Sequence, residues 1–529
     1  MAKGMAWMTV ANIFSRILAA IYIIPWYGWF GSNKLQANAM YTKGFTIYSV
    51  FLMLSTVGIP AAISKQIANY DALGEYKLSL RLYRIALGFM LLLGIIMGAI
   101  MWGISPLLSA GESKMIPVYH SLSIAVVLMP SMSVSRGFFQ GKQDMMPSAL
   151  SQLMEQLVRI IYMLAATFLI MKVLLGSYTS AVVQSTFASF IGALGGILVL
   201  VIIAIKRRKK FEGLSKKSAN RVTRSDHQLL IELIRQAIPF AFVGVATSLY
   251  AVIDQYTFPN AMKICTNFSE AQINSIYSLF AGNANKLVMI VISLGTAMAS
   301  TVIPMLSEAV TNRAYREINN RVRNAFKLLL FIVFPSALGM TAVAHQLYVI
   351  FYGYSSYNHY GILILKVAAT LAIFQAVFLL LVDMIQGLYR NWFAVKYTIF
   401  GIIAKLIVQY PLIFAFKGYG PLISTAIGMT VSVTFGIIYL AKEFGVSIKK
   451  IVSDAAQLLA ATIVMYIFLE LENHLLLMLF SNSRLVNLIE LILLIVTGVI
   501  IYGFFILKFG WMDSILGFRI TSIKNKIHL

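Results

Sequence analysis

The strongest constraint in this sequence is its rhythm. Long apolar stretches recur from end to end, each closed by a short charged or turn-rich break. One helix crossing a bilayer needs about 20 apolar-rich residues. Runs of that kind lie near 5–26, 44–63, 82–108, 118–137, 148–171, 180–205, 236–258, 280–303, 325–349, 361–386, 393–416, 420–441, 455–479 and 486–508. Composition agrees, because 59% of the 529 residues are apolar and only 12% are charged. A soluble chain of this length needs far more charge on its surface. The expected fold class is all-α: a polytopic membrane protein with fourteen transmembrane helices.

Charge then orients the spans. There are 43 Lys and Arg against 19 Asp and Glu, a formal net charge of +24. On the side that holds both termini there are 30 of these bases, with 7 on the other side and 6 within spans. The positive-inside rule places both termini in the cytoplasm of a cell-membrane protein. Most of the basic surplus therefore sets topology, and no nucleic-acid partner is expected. The longest polar break, residues 206–227, opens with Lys206-Arg207-Arg208-Lys209-Lys210. It reads as a cytoplasmic linker and topogenic signal, with binding of anionic headgroups as the other reading.

A repeat relates the two sides of that linker. Pro60-Ala61-Ala62-Ile63-Ser64-Lys65 ends span two, and Phe139-Gln140-Gly141 ends span four. Pro304-Met305-Leu306-Ser307-Glu308 ends span eight, and Ile385-Gln386-Gly387 ends span ten at nearly the same spacing. The expected organisation is an N-lobe at 1–205 (helices 1–6), the linker at 206–227 and a C-lobe at 228–441 (helices 7–12). Residues 442–529 would hold helices 13 and 14 and a cytoplasmic tail. Duplicated lobes with a substrate site between them are a common transporter plan. Prolines within or at the ends of spans, among them Pro130, Pro335 and Pro411, read as tolerated kinks or as hinges.

Several classes drop out. A single cysteine, Cys265, excludes a disulfide framework or a thiolate cluster, and no two of the six histidines have the i, i+4 spacing of a helical zinc site. No P-loop pattern is present, so the chain is not itself an ATP-driven pump. No catalytic residue stands out. A membrane-embedded glycan transferase is the alternative from the enzyme class.

Charged side chains inside spans are costly and are functional candidates by default. Arg16, in span one, keeps its charge at any working pH and has a fork that suits phosphate. Asp254, late in span seven, reads as a cation-coupling acid or as a structural cap. Asn283, Asn285 and Lys286 open span eight, where amides beside an ammonium suit a phosphate or sugar hydroxyls; Lys286 otherwise snorkels outward. Glu155 and Arg159 stand four residues apart on span five and read as an intrahelical pair or a brace to a neighbouring helix. Asp383 and Lys405 read as structural.

One segment is distinctive: Ser135-Arg136-Gly137-Phe138-Phe139-Gln140-Gly141-Lys142-Gln143-Asp144-Met145-Met146-Pro147, continuing to Glu155-Gln156-Leu157-Val158-Arg159. It resembles the span 4–5 signature of polysaccharide-type exporters in the multidrug/oligosaccharidyl-lipid/polysaccharide (MOP) flippase superfamily. Within it, the likeness is to the Gram-positive YtgP/SpoVB branch, related to MurJ lipid II flippases. Phe14-Ser15-Arg16-Ile17-Leu18, Gly58-Ile59-Pro60-Ala61-Ala62 and Ile385-Gln386-Gly387-Leu388 agree with it.

The resemblance implies two six-helix lobes around a cationic cavity, with helices 13 and 14 forming a groove for a lipid tail. It implies outward flipping of an undecaprenyl-pyrophosphate-linked cell-wall precursor, lipid II, by alternating access. Flipping of another lipid-linked glycan, for capsule, teichoic acid or sporulation, is the alternative, followed by a cation-coupled drug antiporter. Arg16 matches the family's span-one arginine, and Asp254 its span-seven acid. Other basic positions fall on Tyr22 or Ile23, on Thr46 and on Asn285, giving a less cationic cavity. No cofactor is expected. Na⁺ or H⁺ is the candidate coupling ion, with the membrane potential as a further drive. The expected partners are the lipid-linked glycan and membrane lipids. The chain is expected to act as a monomer, with the cell-wall synthesis machinery as a candidate associate.

Overall fold

A computed structural model describes residues 21–56, 58–219, 224–299, 315–479 and 483–511, together with residues 18, 306, 309 and 310. Among the described residues all regular structure is helical. Twelve stretches are long and apolar enough to cross a membrane. One of them, Asn391–Phe444, is a hairpin of two helices, so the twelve stretches carry thirteen of the fourteen expected spans. Most of the first expected span, 5–26, lies outside the described residues. The chain is thus a multi-pass helical membrane protein. It divides into two compact units, Met1–Tyr256 and Thr257–Leu529.

The first unit contains α1 (Ile23–Trp29), α2 (Lys34–Thr56), α3 (Ile59–Ala72), α4 (Tyr76–Gly103), α5 (Ile116–Gly141), α6 (Met146–Phe168), α7 (Tyr178–Lys206), α8 (Arg208–Lys216) and most of α9 (Asp226–Cys265). Lipid tails are as apolar as leucine, so close packing and polar contacts have to hold such helices together. Small residues permit that packing. A Cβ added at Gly94 or Gly98 of α4 would collide with the Val127 or Ser123 carbonyl of α5. The two backbones meet there because neither glycine holds them apart.

The second expected span is interrupted. At Gly58 the backbone turns left-handed (φ 81°), which ends α2 and starts α3 with Pro60 in its first turn. A side chain at Gly58 would also meet Phe240 and Ala237 of α9, so glycine is required there twice over. The apolar run continues across the break, which is why it reads as one helix.

The span 4–5 signature is the polar stitching of this unit. Lys142 pairs with Asp71 of α3 at 2.7 Å, and Asp144 pairs with Arg207 just beyond α7. Leu229 and Leu233 of α9 join a buried cluster with Leu82, Met90, Val134 and Phe138. The first turns of α9 thus pack into the first unit.

The second unit contains α10 (Glu270–Tyr277), α11 (Asn285–Ala299), α12 (Tyr315–Ala342), α13 (Ala344–Tyr352), α14 (Asn358–Gly387), α15 (Asn391–Phe416), α16 (Gly420–Phe444), α17 (Ile448–Leu479) and α18 (Arg484–Phe509). Helices α17 and α18 correspond to the expected final pair. Leu458, Ala461, Met465, Leu494 and Tyr502 bury one face of them against Leu330 and Phe334 of α12. Their other faces expose Leu471, Ile489 and Val499, as a lipid-facing surface does.

Polar anchors fix this pair. Arg323 of α12 grips Asp454 of α17 through two N–H···O bonds, the longer 2.9 Å. Lys366 of α14 pairs with Glu470 at 3.0 Å. Deeper in, the Gln346 amide donates to Asn473 at 2.6 Å and to Glu490 at 3.1 Å, joining α13, α17 and α18.

Candidate functional site

Arg16, the leading candidate from the sequence, lies outside the described residues. The other candidates are divided between the two units.

In the first unit, α5, α6 and α7 converge on a charged centre. The guanidinium of Arg136 donates to Glu155 at 2.8 Å and to the Ser151 hydroxyl at 2.9 and 3.0 Å. Ser151 in turn donates to the Gly196 carbonyl of α7 at 3.0 Å. Glu155 is buried, so its charge has to be paired where it sits. Of the two readings for Glu155, the structure shows a brace to a neighbouring helix. An ion pair between Glu155 and Arg159 is not formed: Arg159 donates instead to Gln156 on its own helix, at 2.6 Å. Tyr22, Tyr41 and Tyr48 stand within electrostatic reach of the Arg159 guanidinium, as does Glu155.

Arg136 stands at the end of the apolar run of span four, where a base reads as a topology signal. Its partner lies 19 residues away, across a turn, and no periodicity links them. Lys43 is a similar case. Its side chain is 4% exposed and paired with Glu112.

Asp254 is half-buried near the end of the first unit. Its neighbours fix that stretch of α9. The Gln255 amide donates to the Tyr119 hydroxyl at 3.2 Å, and the Tyr256 hydroxyl donates to the Leu108 carbonyl at 2.8 Å.

In the second unit, Asn283 lies in a π-helical turn, Ser278–Ala284, between α10 and α11. Such turns re-aim side chains and are frequent at functional sites. Here the turn sends neighbouring residues in different directions. Asn283 is fully buried; its amide donates to Tyr348 at 3.1 Å, and its carbonyl accepts from Tyr352 at 2.9 Å. Asn283, expected to contact substrate, is therefore an internal brace to α13. Asn285 is exposed and Lys286 half-buried, so the three residues do not share one face.

Two further polar residues of this unit stand out. Lys405 is fully buried and donates to the Thr425 hydroxyl of α16. Asp383 of α14 is half-buried and has neither a hydrogen bond nor an ion pair with another described residue. No group of three or more His, Cys, Asp or Glu among the described residues could hold a metal ion.

Together these features define a polytopic helical membrane protein with arginine, lysine and carboxylate groups held inside its spans. The sequence pattern of the polysaccharide biosynthesis protein family matches residues 1–310. The lipid II flippase MurJ of Bacillus subtilis (strain 168) is 31% identical over 539 aligned positions, covering 99% of this chain and 98% of that protein. Among solved structures, a lipid II flippase MurJ in an inward closed conformation superposes with a TM-score of 0.64 at 15% identity, covering 94% of this chain and 97% of that one. An inward-facing multidrug resistance MATE family transporter of the MOP superfamily also reaches 0.64 at 15% identity, covering 81% and 94%. The chain belongs to the polysaccharide biosynthesis protein family.

Proposed function

We propose that this protein is a flippase carrying undecaprenyl-pyrophosphate-linked peptidoglycan precursor, lipid II, from the inner to the outer leaflet of the cell membrane. The observation that carries this reading is the 31% identity to a lipid II flippase over nearly the full length of both chains. The physical requirements agree. The headgroup is polar and anionic and needs a wet, cationic path, while the polyprenyl tail stays in lipid. The work is binding and release on alternate sides, without a covalent step. The 30 to 7 division of bases supports cytoplasmic termini.

Arg16 and Lys286 are the proposed headgroup contacts, with Asn285 beside Lys286. Asp254 and Asp383 are the proposed coupling carboxylates for Na⁺ or H⁺. One charge crossing 100 mV contributes about 2.3 kcal/mol, so the membrane potential can help to reset the cycle.

A second reading, flipping of a different lipid-linked glycan, is favoured by one observation. Thr46, which the resemblance sets at a basic position of the family, is uncharged, and its hydroxyl is turned to the Thr42 carbonyl of its own helix at 3.0 Å.

The test is complementation of a strain conditionally depleted of its lipid II flippase. The wild-type chain is expected to restore growth and Arg16→Ala to fail. A wild-type chain that reaches the membrane without restoring growth would overturn the lipid II reading in favour of the second. Normal rescue by Arg16→Ala would remove that residue from the site.

A further inference from the structure

We propose that Glu490, Gln346 and Asn487 form a binding site for a monovalent cation where α13, α17 and α18 meet in the second unit. The site stands on its own residues, apart from the coupling carboxylates proposed above, and does not depend on the lipid II reading.

Contact comes first. The Gln346 amide nitrogen donates to Asn473 of α17 at 2.6 Å and to Glu490 of α18 at 3.1 Å, so three helices meet at one side chain. Depth agrees from both helices of the final pair. Asn473 lies six residues before the end of α17, and Glu490 six residues after the start of α18. At 1.5 Å per residue each stands about 9 Å from its helix end.

Charge comes second. Glu490 is 5% exposed and forms no ion pair with another described residue. Its hydrogen-bond donor among the described residues, the Gln346 amide, is neutral. A carboxylate buried within a span is costly unless a positive charge answers it.

Orphaned oxygens come third. Gln346 is fully buried and Asn487 is 1% exposed. Both amide nitrogens are in use, that of Asn487 on the Ser483 carbonyl at 2.8 Å and the Tyr354 hydroxyl at 3.4 Å. The accepting carbonyl and carboxylate oxygens fix which end of each amide is nitrogen. The amide oxygens, Oε1 of Gln346 and Oδ1 of Asn487, are buried with no hydrogen-bond partner among the described residues. The first belongs to the amide that touches Glu490. The second sits three residues before Glu490 on the same buried helix face. A proton on Glu490 would supply one donor and leave one of these oxygens unanswered. A hard cation takes carboxylate and amide oxygens together. A single carboxylate balances a single positive charge, whereas a divalent ion would leave surplus charge within the span.

The backbone supports the arrangement. Span nine is broken here: α12 ends at Ala342 and α13 begins at Ala344, with Val343 between them (φ −93°, ψ 16°). The Asn473 amide donates to the Ala342 carbonyl at 3.0 Å, which satisfies the end of α12, and Gln346 falls in the first turn of α13. Ion sites in transporters are built at interrupted helices of this kind.

The experiment uses the full-length protein purified in detergent, as wild type and as Asp254→Asn/Asp383→Asn, which removes the other candidate carboxylates. Radioactive Na⁺ is the probe, with choline chloride holding the ionic strength constant. Both proteins are expected to bind Na⁺, displaced by unlabelled NaCl and not by CaCl2 at the same concentration. Glu490→Gln, made in the double variant, keeps an oxygen for the Gln346 amide and is expected to weaken binding by about tenfold or more. Asn487→Ala is expected to weaken it by roughly tenfold, and Glu490→Asp to fall between Glu490→Gln and its parent. Exchanging choline for Na⁺ should raise the unfolding temperature of the double variant and leave that of Glu490→Gln unchanged. Retained, weakened binding by Glu490→Asp separates a lost ligand from a misfolded chain. If the Glu490 and Asn487 variants bind Na⁺ as their parent does, the site is wrong. If the double variant binds no Na⁺ while Glu490→Gln unfolds at a higher temperature than its parent, the carboxyl holds a proton and the cation assignment is overturned. If Ca²⁺ displaces Na⁺ at equal concentration, the monovalent assignment falls.

Discussion

Arg136 of α5 donates to Glu155 of α6 at 2.8 Å, and the two form a buried ion pair that holds consecutive helices together. Removing one partner leaves the other charge uncompensated. Glu155→Gln is expected to destabilise the protein by about 3 kcal/mol, and Arg136→Met/Glu155→Leu by clearly less. Thermal unfolding of the purified single and double variants measures this. Additive losses would show that the two residues do not act as a pair.

Gly94 offers a steric test. Its missing Cβ is what lets α4 lie on the Val127 carbonyl. Gly94→Val should force the helices apart and cost at least about 2 kcal/mol, seen as low membrane yield and early unfolding. Gly103→Val, in the same helix but with open space around it, should be tolerated.

Asp454 anchors the final helix pair. It answers Arg323 directly, and Lys327 at 3.7 Å. Asp454→Ala removes the carboxylate that Arg323 grips and is expected to cost about 3 kcal/mol, whereas Asp454→Glu should recover part of the loss. Protease sensitivity of the segment around residues 480–484 would report whether the pair has loosened.

Asp383 carries the prediction on coupling. Asp383→Asn keeps the shape of the side chain and removes its charge. Flipping in vesicles is expected to lose its dependence on a Na⁺ or proton gradient while the protein folds normally. An unchanged gradient dependence would assign coupling elsewhere, with Asp254→Asn as the next variant.

Much of this architecture was legible because membrane spans are written in long runs. A helix such as α14 or α18 needs only length and apolar composition to be recognised. Breaks inside a run were not legible: Gly58 ends α2 within an uninterrupted apolar stretch, and only a left-handed backbone reveals it. Polar partners were harder still. Glu155 and Arg159 share a helical face by spacing, yet Glu155 found a stronger partner on the next helix. Asn283 looked like a ligand because it neighbours Lys286. A π-helical turn sends it inward to Tyr348 instead, and nothing in the local pattern marks that turn. Candidate residues can be found from composition, but which way each one points is decided by packing against distant chain.

Helix α9 runs for forty residues, Asp226–Cys265. At 1.5 Å per residue it is about 60 Å long, roughly twice the hydrocarbon thickness of a bilayer. Its first ten residues include Asp226, His227, Glu232 and Arg235, which belong in water. The helix is thus a strut with one end in the aqueous phase, continuous with the basic linker that precedes it. A tilt of about 10° along that length sweeps the wet end through roughly 10 Å. Leu229 and Leu233 near that end are buried among Leu82, Met90, Val134 and Phe138, so such a tilt has to carry the packed helices of the first unit with it.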